Sequence, residues 1–272
     1  MPPSFVIYMD VMYASFAGAK TGDELTLPGK FGFMTTLRDR VAVITGATSG
    51  IGLAIAKRLH DAGTRVVITG RNADKLAVTA AQLDGAAHLA GDICEPRLAQ
   101  SLMDLAVGEY GRCDIVVNNA GVIHNGPIDR IDVEKVCEMV RINVEAAFRV
   151  AYTAVKQFDK MGSGHLLNIS SVLGTKVRIF TGAYAGTKYA IEALSEALRI
   201  ELARRPIHVT CIQPGLVMTE LHRDFPVHPK EPMQVERPLV PDDVADAVVF
   251  ALTRPAHVTI PTMLVLPKDH KT

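Results

Sequence analysis

TGATSGIG, residues 45–52, stands between the apolar run VAVI at 41–44 and an apolar pattern of helical spacing at 53–59. Glycines in this stretch allow a tight turn and let the backbone come close to a bound pyrophosphate. The N–H groups at the start of the next helix, together with its dipole, favour a negative charge. Because a strand precedes the stretch and a helix follows it, we predict a dinucleotide-binding turn; the alternative is an ordinary strand-to-helix connection.

The rest of the chain repeats this alternation of apolar runs and helical patterns. The runs predict further strands at 65–69, 87–90, 114–117, 165–169, 207–212 and 262–266. The helical patterns predict helices at 73–83, 96–110, 132–160, 183–203 and 241–253. Strands that alternate with helices indicate an α/β fold with a parallel sheet covered on both faces. We place one domain at 37–272.

The segment before this domain has a different character. Residues 1–36 contain prolines, glycines and no sustained period, so we predict a poorly ordered N-terminal extension. We further expect 1–33 to be dispensable for folding and catalysis. In the competing interpretation, the apolar patch 5–19 packs on the domain, lies on a membrane surface or joins a subunit interface.

Composition excludes several classes of protein. The chain has 29 Lys plus Arg and 29 Asp plus Glu, and this zero net charge argues against a nucleic-acid partner. Its four cysteines form no C-x-x-C pair and stand at no metal-ligand spacing, so we predict no metal and read them as small core residues of a reducing compartment. With neither a secretory signal nor a membrane-spanning run, we expect a cytoplasmic protein with no membrane contact.

The end of the second strand bears on the choice of dinucleotide. An acidic residue there binds the ribose hydroxyls in NAD sites. This chain has TGRN at 69–72, with no acid before Asp74. Arg71 offers a guanidinium fork for a 2′-phosphate, so the sequence favours NADP (NADPH) over NAD. The alternative is that Arg71 is a solvated loop residue.

Polar residues with catalytic chemistry follow the fourth and fifth strands. NNAG at 118–121 lies where open α/β sheets bind ligands. Ser171 follows the strand HLLNI, and Tyr184 and Lys188 share one helix face at i and i+4. An ammonium about 4 Å from the phenol would stabilise the phenolate by roughly 4 kcal/mol, which brings the pKa of Tyr184 to about 7. A phenol tuned in this way suits proton exchange in a hydride-transfer enzyme.

Together these motifs resemble the single-domain form of the short-chain dehydrogenase/reductase family, from about Arg38 to Pro267. The resemblance implies a doubly wound Rossmann fold with seven strands. It also implies that Tyr184 exchanges the substrate proton and that Ser171 hydrogen-bonds the reacting carbonyl oxygen. Lys188 would hold the nicotinamide ribose and lower the pKa of the tyrosine, and Asn143 would anchor a water that links Lys188 to solvent.

The same resemblance implies a set of cofactor contacts. The pair 92–93 matches residues that contact adenine, and the turn at 214–219 matches one beside the nicotinamide. The predicted cofactor-binding residues are Gly46, Thr48, Ser49, Gly50, Ile51, Gly52, Arg71, Asp92, Ile93, Asn119, Ala120, Gly121, Tyr184, Lys188, Pro214, Gly215, Val217 and Thr219. A homodimer or homotetramer would pair through the helices at 132–160 and 183–203.

We therefore expect an NADP-dependent oxidoreductase that moves a hydride between nicotinamide and a carbonyl or secondary alcohol. The segment 220–238 would be a mobile substrate lid that sets substrate preference. It holds several apolar residues and lacks a basic cluster that would suggest a phosphate-bearing substrate, so a mostly apolar small carbonyl or alcohol fits better. The alternatives are an NAD-dependent alcohol dehydrogenase of the same family, a cofactor-binding regulator without turnover, an isomerase or epimerase, and an interaction module. The substrate, its stereochemistry and the direction of reaction stay open.

Overall fold

The computed structural model describes residues 35–223, 225 and 229–271, so the predicted extension lies outside the described residues except at its C-terminal end. Thr35 is already bonded to the domain. Its backbone N–H donates to Thr253 O at 3.1 Å, and its hydroxyl donates to Arg254 O at 2.8 Å. Thr35, the first described residue, is thus hydrogen-bonded to the domain.

Strands and helices alternate as predicted. The strands are β1 (Val41–Thr45), β2 (Arg65–Gly70), β3 (Ala87–Ala90), β4 (Ile115–Asn118), β5 (Gly164–Ile169), β6 (Ile207–Pro214) and β7 (Thr262–Val265). The α-helices are α1 (Gly50–Asp61), α2 (Ala73–Ala81), α3 (Leu98–Tyr110), α4 (Val133–Val140), α5 (Ala147–Met161), α6 (Gly182–Glu201) and α7 (Pro241–Leu252). All strand pairs are parallel, in the order β3-β2-β1-β4-β5-β6-β7. This confirms the doubly wound parallel sheet, the Rossmann fold, with seven strands.

The core has one layer on each face of the sheet. Ala42 and Ile44 of β1 belong to the layer that contains residues of α1, α2 and α7. Val41 and Val43 belong to the other layer, with residues of α3, α5 and α6. Because both faces are covered, all five residues of β1 have 0% exposure, and the strand reads as a continuous apolar run rather than as an alternating one.

The long helix predicted at 132–160 contains a π-helical segment that the sequence pattern does not show. Asp132 caps its start, where its carboxylate accepts hydrogen bonds from Glu134 N and Lys135 N. Between α4 and α5 the segment Arg141–Ala146 is π-helical, a geometry that widens the turn and is frequent at functional sites. The widened turn carries Asn143, which is 2% exposed.

Two predicted absences concern the described residues only. No group of three His, Cys, Asp or Glu side chains in that part of the chain is placed to hold a metal ion. Within the same part, no helix combines the length and apolar character needed to cross a bilayer. The four cysteines are free, and Cys113 and Cys211 are buried as predicted. Cys137 is exposed and Cys94 half-buried, so the prediction of core positions is wrong for Cys137 and only partly right for Cys94.

Candidate active site

The glycine turn after β1 has the backbone conformation that its sequence predicts. Gly46 has a φ of 66°, in the left-handed region that L side chains rarely adopt. A Cβ on Gly52 would lie 2.3 Å from Gly46 O and 2.5 Å from Asn119 Nδ2, so only glycine fits there. The turn therefore packs closely against the loop after β4, and the N-terminus of α1 lies next to it.

The loop after β4 is fixed to the end of β1 by hydrogen bonds. The Thr45 hydroxyl oxygen accepts from Asn119 N at 2.9 Å and from Ala120 N at 3.0 Å. Asn119 Nδ2 donates to Thr45 O at 2.9 Å. The structure thus brings the glycine turn and the predicted residues at 119–121 to one edge of the sheet.

The end of β2 carries the predicted phosphate-binding residue at the same edge. A Cβ on Gly70 would lie 2.6 Å from Thr48 Cγ2, so the end of β2 touches the glycine turn. Arg71 follows and is exposed. Asn72 caps α2 by accepting from Lys75 N at 2.8 Å. Asp92, after β3, is also exposed, and its carboxylate accepts from Cys94 N at 2.9 Å.

The turn after β6 reaches the glycine turn from the other side. Gly215 N donates to Val265 O at 2.7 Å, and Val217 forms a parallel bridge with Leu239. A Cβ on Gly50 would lie only 3.3 Å from Thr219 Cγ2. Thr219 therefore lies close to the start of α1, and its predicted contact with nicotinamide stays a prediction.

Ser171, Tyr184 and Lys188 are buried together beyond the end of β5. Their exposures are 8%, 7% and 7%. Ser171 Oγ accepts from Leu173 N at 3.1 Å, which fixes the hydroxyl at the start of a 3₁₀ turn. Lys188 Nζ donates to Ile169 O at 3.0 Å and lies 5.8 Å from the centre of the Tyr184 ring. The spacing of four residues does place both side chains on one face of α6.

The pKa of Tyr184 differs from the sequence-based expectation of about 7. Burial raises the pKa of Tyr184 to about 12, and a hydrogen bond with Ser171 lowers it by less. The expectation assumed an ammonium about 4 Å away and no desolvation. It was wrong for this structure because removing the phenolate from water outweighs the favourable contacts, so the phenol is protonated at neutral pH.

Lys188 is also affected by burial. Desolvation lowers the pKa of Lys188 to about 8, while nearby Cys211 and Glu192 raise it. The amine is therefore mainly an ammonium at pH 7, with a proton that leaves more readily than that of an exposed lysine.

Asn143 is close to these groups, but its side chain is engaged with protein. Its Nδ2 donates to Val122 O at 2.8 Å and to the Thr187 hydroxyl at 3.2 Å, and its Oδ1 accepts from Val122 N at 2.9 Å. Thr187 in turn donates to Tyr184 O at 2.7 Å. Asn143 thus joins the loop after β4 to the second turn of α6. Both amide N–H groups are used, so a water on this side chain would have to donate to Oδ1.

The structure adds residues that the sequence analysis missed. Arg178 Nη2 lies 2.8 Å from His270 Nε2 and donates to Lys271 O at 2.7 Å. Asp269 accepts from Glu236 N at 2.6 Å. The C-terminal segment therefore bonds both to the loop before Tyr184 and to the end of the predicted lid. Ninety-two positions separate Arg178 from His270, and no local pattern signals such a contact.

The arrangement fits a dinucleotide. The cradle formed by Gly46 and Gly52 has the close backbone approach that a pyrophosphate needs, and the start of α1 supplies N–H donors. The exposed Arg71 and the buried Ser171–Tyr184–Lys188 group lie beyond different strands at one edge of the sheet, so an extended ligand could reach both. In open α/β sheets, ligands bind at this edge.

Comparison with known proteins gives a consistent result. Residues 40–229 match the family model described as short chain dehydrogenase. An uncharacterized oxidoreductase of Staphylococcus aureus (strain N315) is 37% identical over 236 residues, 86% of this chain and 100% of the relative. One from Staphylococcus epidermidis is 34% identical over 235 residues, again 86% and 100%.

Solved structures agree. A 3-ketoacyl-(acyl-carrier-protein) reductase from Brucella melitensis complexed with NADH has a TM-score of 0.79 at 30% identity, over 86% of this chain and 99% of that one. A serine dehydrogenase complexed with NADP+ has a TM-score of 0.80 at 28% identity, over 85% and 96%. Actinorhodin polyketide ketoreductase with NADPH has a TM-score of 0.76 at 30% identity, over 86% of this chain and 98% of that one. The chain therefore belongs to the short chain dehydrogenase family and is an NAD(P)-dependent oxidoreductase that acts on CH–OH or C=O groups.

Proposed function

We propose that this enzyme is an NADPH-preferring reductase of apolar ketones or aldehydes, with Tyr184 as its proton donor. The observation that carries the proposal is the buried group formed by Ser171, Tyr184 and Lys188 at the ligand-binding edge of the sheet. Nicotinamide supplies the hydride chemistry when it is bound. The protein contributes orientation, exclusion of water and a proton at the carbonyl oxygen.

The roles of the three side chains follow from their chemistry. A side-chain hydrogen bond with Ser171 lowers the pKa of Tyr184, so the two hydroxyls lie side by side. A carbonyl oxygen that replaced this bond would accept from both hydroxyls. Tyr184 would pass its proton to that oxygen as negative charge develops there. Lys188, anchored on Ile169 O, would stabilise the phenolate left behind and hold the nicotinamide ribose. Asn143 would position α6 relative to the loop after β4.

The raised pKa of Tyr184 favours one direction at neutral pH. A phenol whose pKa is about 12 carries its proton at pH 7 and can donate it, as carbonyl reduction requires. Alcohol oxidation needs the phenolate, whose fraction rises with pH. We therefore expect reduction to dominate at neutral pH and the oxidation rate to increase as the pH rises from 7 toward the pKa of Lys188 at about 8.

The surroundings of the site favour an apolar substrate. Three large apolar side chains precede Tyr184 and are at least half exposed, namely Val177, Ile179 and Phe180. The one cation among them, Arg178, is bonded to His270 and Lys271 O rather than presented to a ligand. An alkyl or aryl ketone would bury these apolar side chains.

Preference for NADPH rests on Arg71. Its exposed guanidinium follows β2 beside the glycine turn, and among the described residues no hydrogen bond or ion pair occupies it. The first carboxylate after Arg71 is that of Asp74, in the first turn of α2. A 2′-phosphate would gain a charge-assisted contact worth about 1.5–3 kcal/mol.

We also propose a homo-oligomer. Large apolar side chains are exposed on α4, α5 and α6, namely Val133, Val140, Tyr152, Tyr189 and Ile200. Exposed apolar surface on several neighbouring helices marks contact sites. Light scattering after size exclusion should give a dimer or tetramer, and a monomer at micromolar concentration would contradict this. Localisation in the cytoplasm stays a prediction.

A substrate panel tests the proposed function. Absorbance of NADPH and NADH would be followed with cyclohexyl and aryl ketones, aldehydes, and 2-keto acids as anionic counterparts. We expect turnover of apolar ketones with NADPH to exceed that of the keto acids by 10-fold or more. Faster turnover of keto acids, or no turnover with any carbonyl in the panel, would contradict the proposal.

A further inference from the structure

Glu192 is a carboxylate that the proposed mechanism does not use, and it lies one helical turn beyond Lys188 on α6. Residues four apart on a helix have Cβ atoms about 5–6 Å apart on the same face. Glu192 is half-buried, and a side-chain hydrogen bond joins it to Cys211. Its Oε1 is enclosed and accepts no hydrogen bond from the described part of the chain. A buried carboxylate oxygen without a partner is costly, so its presence beside another buried charge calls for a physical reason.

The surroundings of Glu192 join it to the site. A Cβ on Gly174 would lie 3.0 Å from Glu192 Oε1 and 2.6 Å from Ser170 Oγ. Ser170 is 4% exposed, and its hydroxyl also lacks a partner within the described residues. Because Gly174 has no side chain, the carboxylate can lie directly behind the 3₁₀ turn that holds Ser171.

The titratable groups that face Lys188 come from two elements. Tyr184 and Glu192 lie on α6, and Cys211 comes from β6, while β5 contributes only the carbonyl of Ile169. Burial raises the pKa of Cys211 far above its usual value, and Glu192 raises it further. Cys211 is therefore a neutral thiol at neutral pH, and Tyr184 is a neutral phenol. Glu192 supplies the carboxylate that favours the charged form of Lys188 and raises its pKa.

We propose that Glu192 is a positioning residue of this enzyme, whose partly buried carboxylate keeps Lys188 charged beside Tyr184. The role rests on the proposed function of Lys188. A neutral amine in the same place could neither stabilise a phenolate nor keep its full set of donors. Glu192 thus acts on the reaction through Lys188 and does not touch the substrate.

The direct test is a titration of Lys188 that needs no turnover. The protein would be labelled with ¹³Cε-lysine, and Lys188→Met would identify the Lys188 signal. In Glu192→Gln, which keeps the size of the side chain, we expect the pKa of Lys188 to fall by about one to two units, as loss of a unit charge roughly 6 Å away at an effective dielectric of about 20 implies. Glu192→Asp, which keeps the charge, should restore at least half of this change.

Glu196→Gln is the matched control, because Glu196 is one further turn along α6 and is exposed. It should leave the Lys188 titration unchanged within 0.3 units. An equally small change in Glu192→Gln would overturn the proposal. So would a large change in Glu192→Gln that Glu192→Asp does not reverse, because packing rather than charge would then be responsible.

Kinetics separate this inference from the proposed function. With a ketone substrate, the alkaline limb of the kcat profile should move to lower pH in Glu192→Gln by the amount seen in the titration. A shifted titration with an unshifted kcat profile would support the role of Glu192 toward Lys188 but refute the role of Lys188 in turnover. An unshifted titration would refute the role of Glu192 whatever the activity.

Discussion

In the parallel sheet, all strands begin at one edge, the amino edge, and end at the other, the carboxyl edge. Both edges bury titratable side chains, but the hydrogen bonding around those side chains differs. At the amino edge, burial lowers the pKa of His165 to about 3. Its Nε2 lies 2.8 Å from the Thr210 hydroxyl, which itself donates to Ile260 O at 2.7 Å. At the carboxyl edge, burial lowers the pKa of Lys188 to about 8 beside Ser171 and Tyr184. A shifted pKa alone therefore does not mark a functional site.

Hydrogen bonding distinguishes the edges more sharply than the pKa does. Four buried polar atoms that lack a partner in the described part of the chain lie beyond or beside the carboxyl ends of strands, namely Asn125 Oδ1, Ser170 Oγ, Glu192 Oε1 and His270 Nδ1. At the amino edge, Asp114 accepts from Val41 N at 2.9 Å and from Arg112 Nε at 2.7 Å. Polar groups at the amino edge complete the fold, while several at the carboxyl edge keep bonding capacity that a ligand or water can use.

The largest expected effect separates the edges by activity. Tyr184→Phe removes the proton donor, so kcat for ketone reduction should fall by about 10²–10⁴-fold. NADPH affinity, measured by fluorescence titration, should change less than threefold. Tyr189→Phe on the same helix, at 43% exposure, is the control and should keep wild-type turnover. A Tyr184→Phe enzyme with more than a tenth of the wild-type rate would rule out Tyr184 as the acid.

The second test concerns the exposed end of the carboxyl edge. Arg71→Ala should reduce the ratio of kcat/KM for NADPH to that for NADH by roughly 10- to 150-fold, because a charge-assisted contact of about 1.5–3 kcal/mol is lost. Arg204→Ala, an exposed arginine before β6, should leave the ratio unchanged. Wild-type enzyme that uses NADH as efficiently as NADPH would refute the preference itself.

The third test asks how strictly the glycine turn is packed. Gly52→Ala places a Cβ 2.3 Å from Gly46 O, and overpacking of this kind costs about 1–3 kcal/mol. Both the free energy of unfolding and the affinity for NADPH should fall. In Gly108→Ala on α3 the new Cβ meets nothing within 4 Å, and this helix interior should gain up to about 1 kcal/mol. Equal stability of the two variants would show that the glycine turn can shift to accommodate the added Cβ.

The smallest expected effect is at the amino edge and concerns stability alone. Because the folded pKa of His165 lies near 3 and the ordinary value is 6.5, its contribution to stability is complete above about pH 6.5 and is lost as pH falls toward 3. In His165→Gln, the free energy of unfolding should fall less steeply with decreasing pH, because unfolding then takes up about one proton fewer. The free energy of unfolding at pH 7 should be lower by about 1 kcal/mol.

Urea unfolding between pH 4 and pH 7 measures the His165 effect, with exposed His257→Gln as the control. Neither variant should change kcat. His208, whose ring lies 5.3 Å from that of His165 and whose pKa burial also lowers, retains its own smaller acid dependence. A loss of turnover in His165→Gln would mean that the two edges are coupled more tightly than their hydrogen bonds indicate.

The sequence predicted the order and type of the strands and helices because each local signal agrees with the global fold. Strands such as β1 are covered on both faces and so appear as continuous apolar runs. The sequence did not predict the π-helical segment Arg141–Ala146, because its residues continue the helical pattern of apolar positions and only the backbone geometry differs. Residues 224 and 226–228 of the predicted lid lie outside the described part of the chain, so its mobility stays a prediction.

By itself, the sequence determined the fold, the family and the helical spacing of Tyr184 and Lys188, because these depend on local periodicity and on motifs in fixed order. Only the tertiary structure decided the pKa of Tyr184, which the argument from sequence placed near 7. Burial by residues distant in the chain raises that pKa to about 12, and a contact pattern within one helix contains no information on desolvation. The same physical reason hid Glu192, whose carboxylate matters only where β5, β6 and α6 exclude water around Lys188.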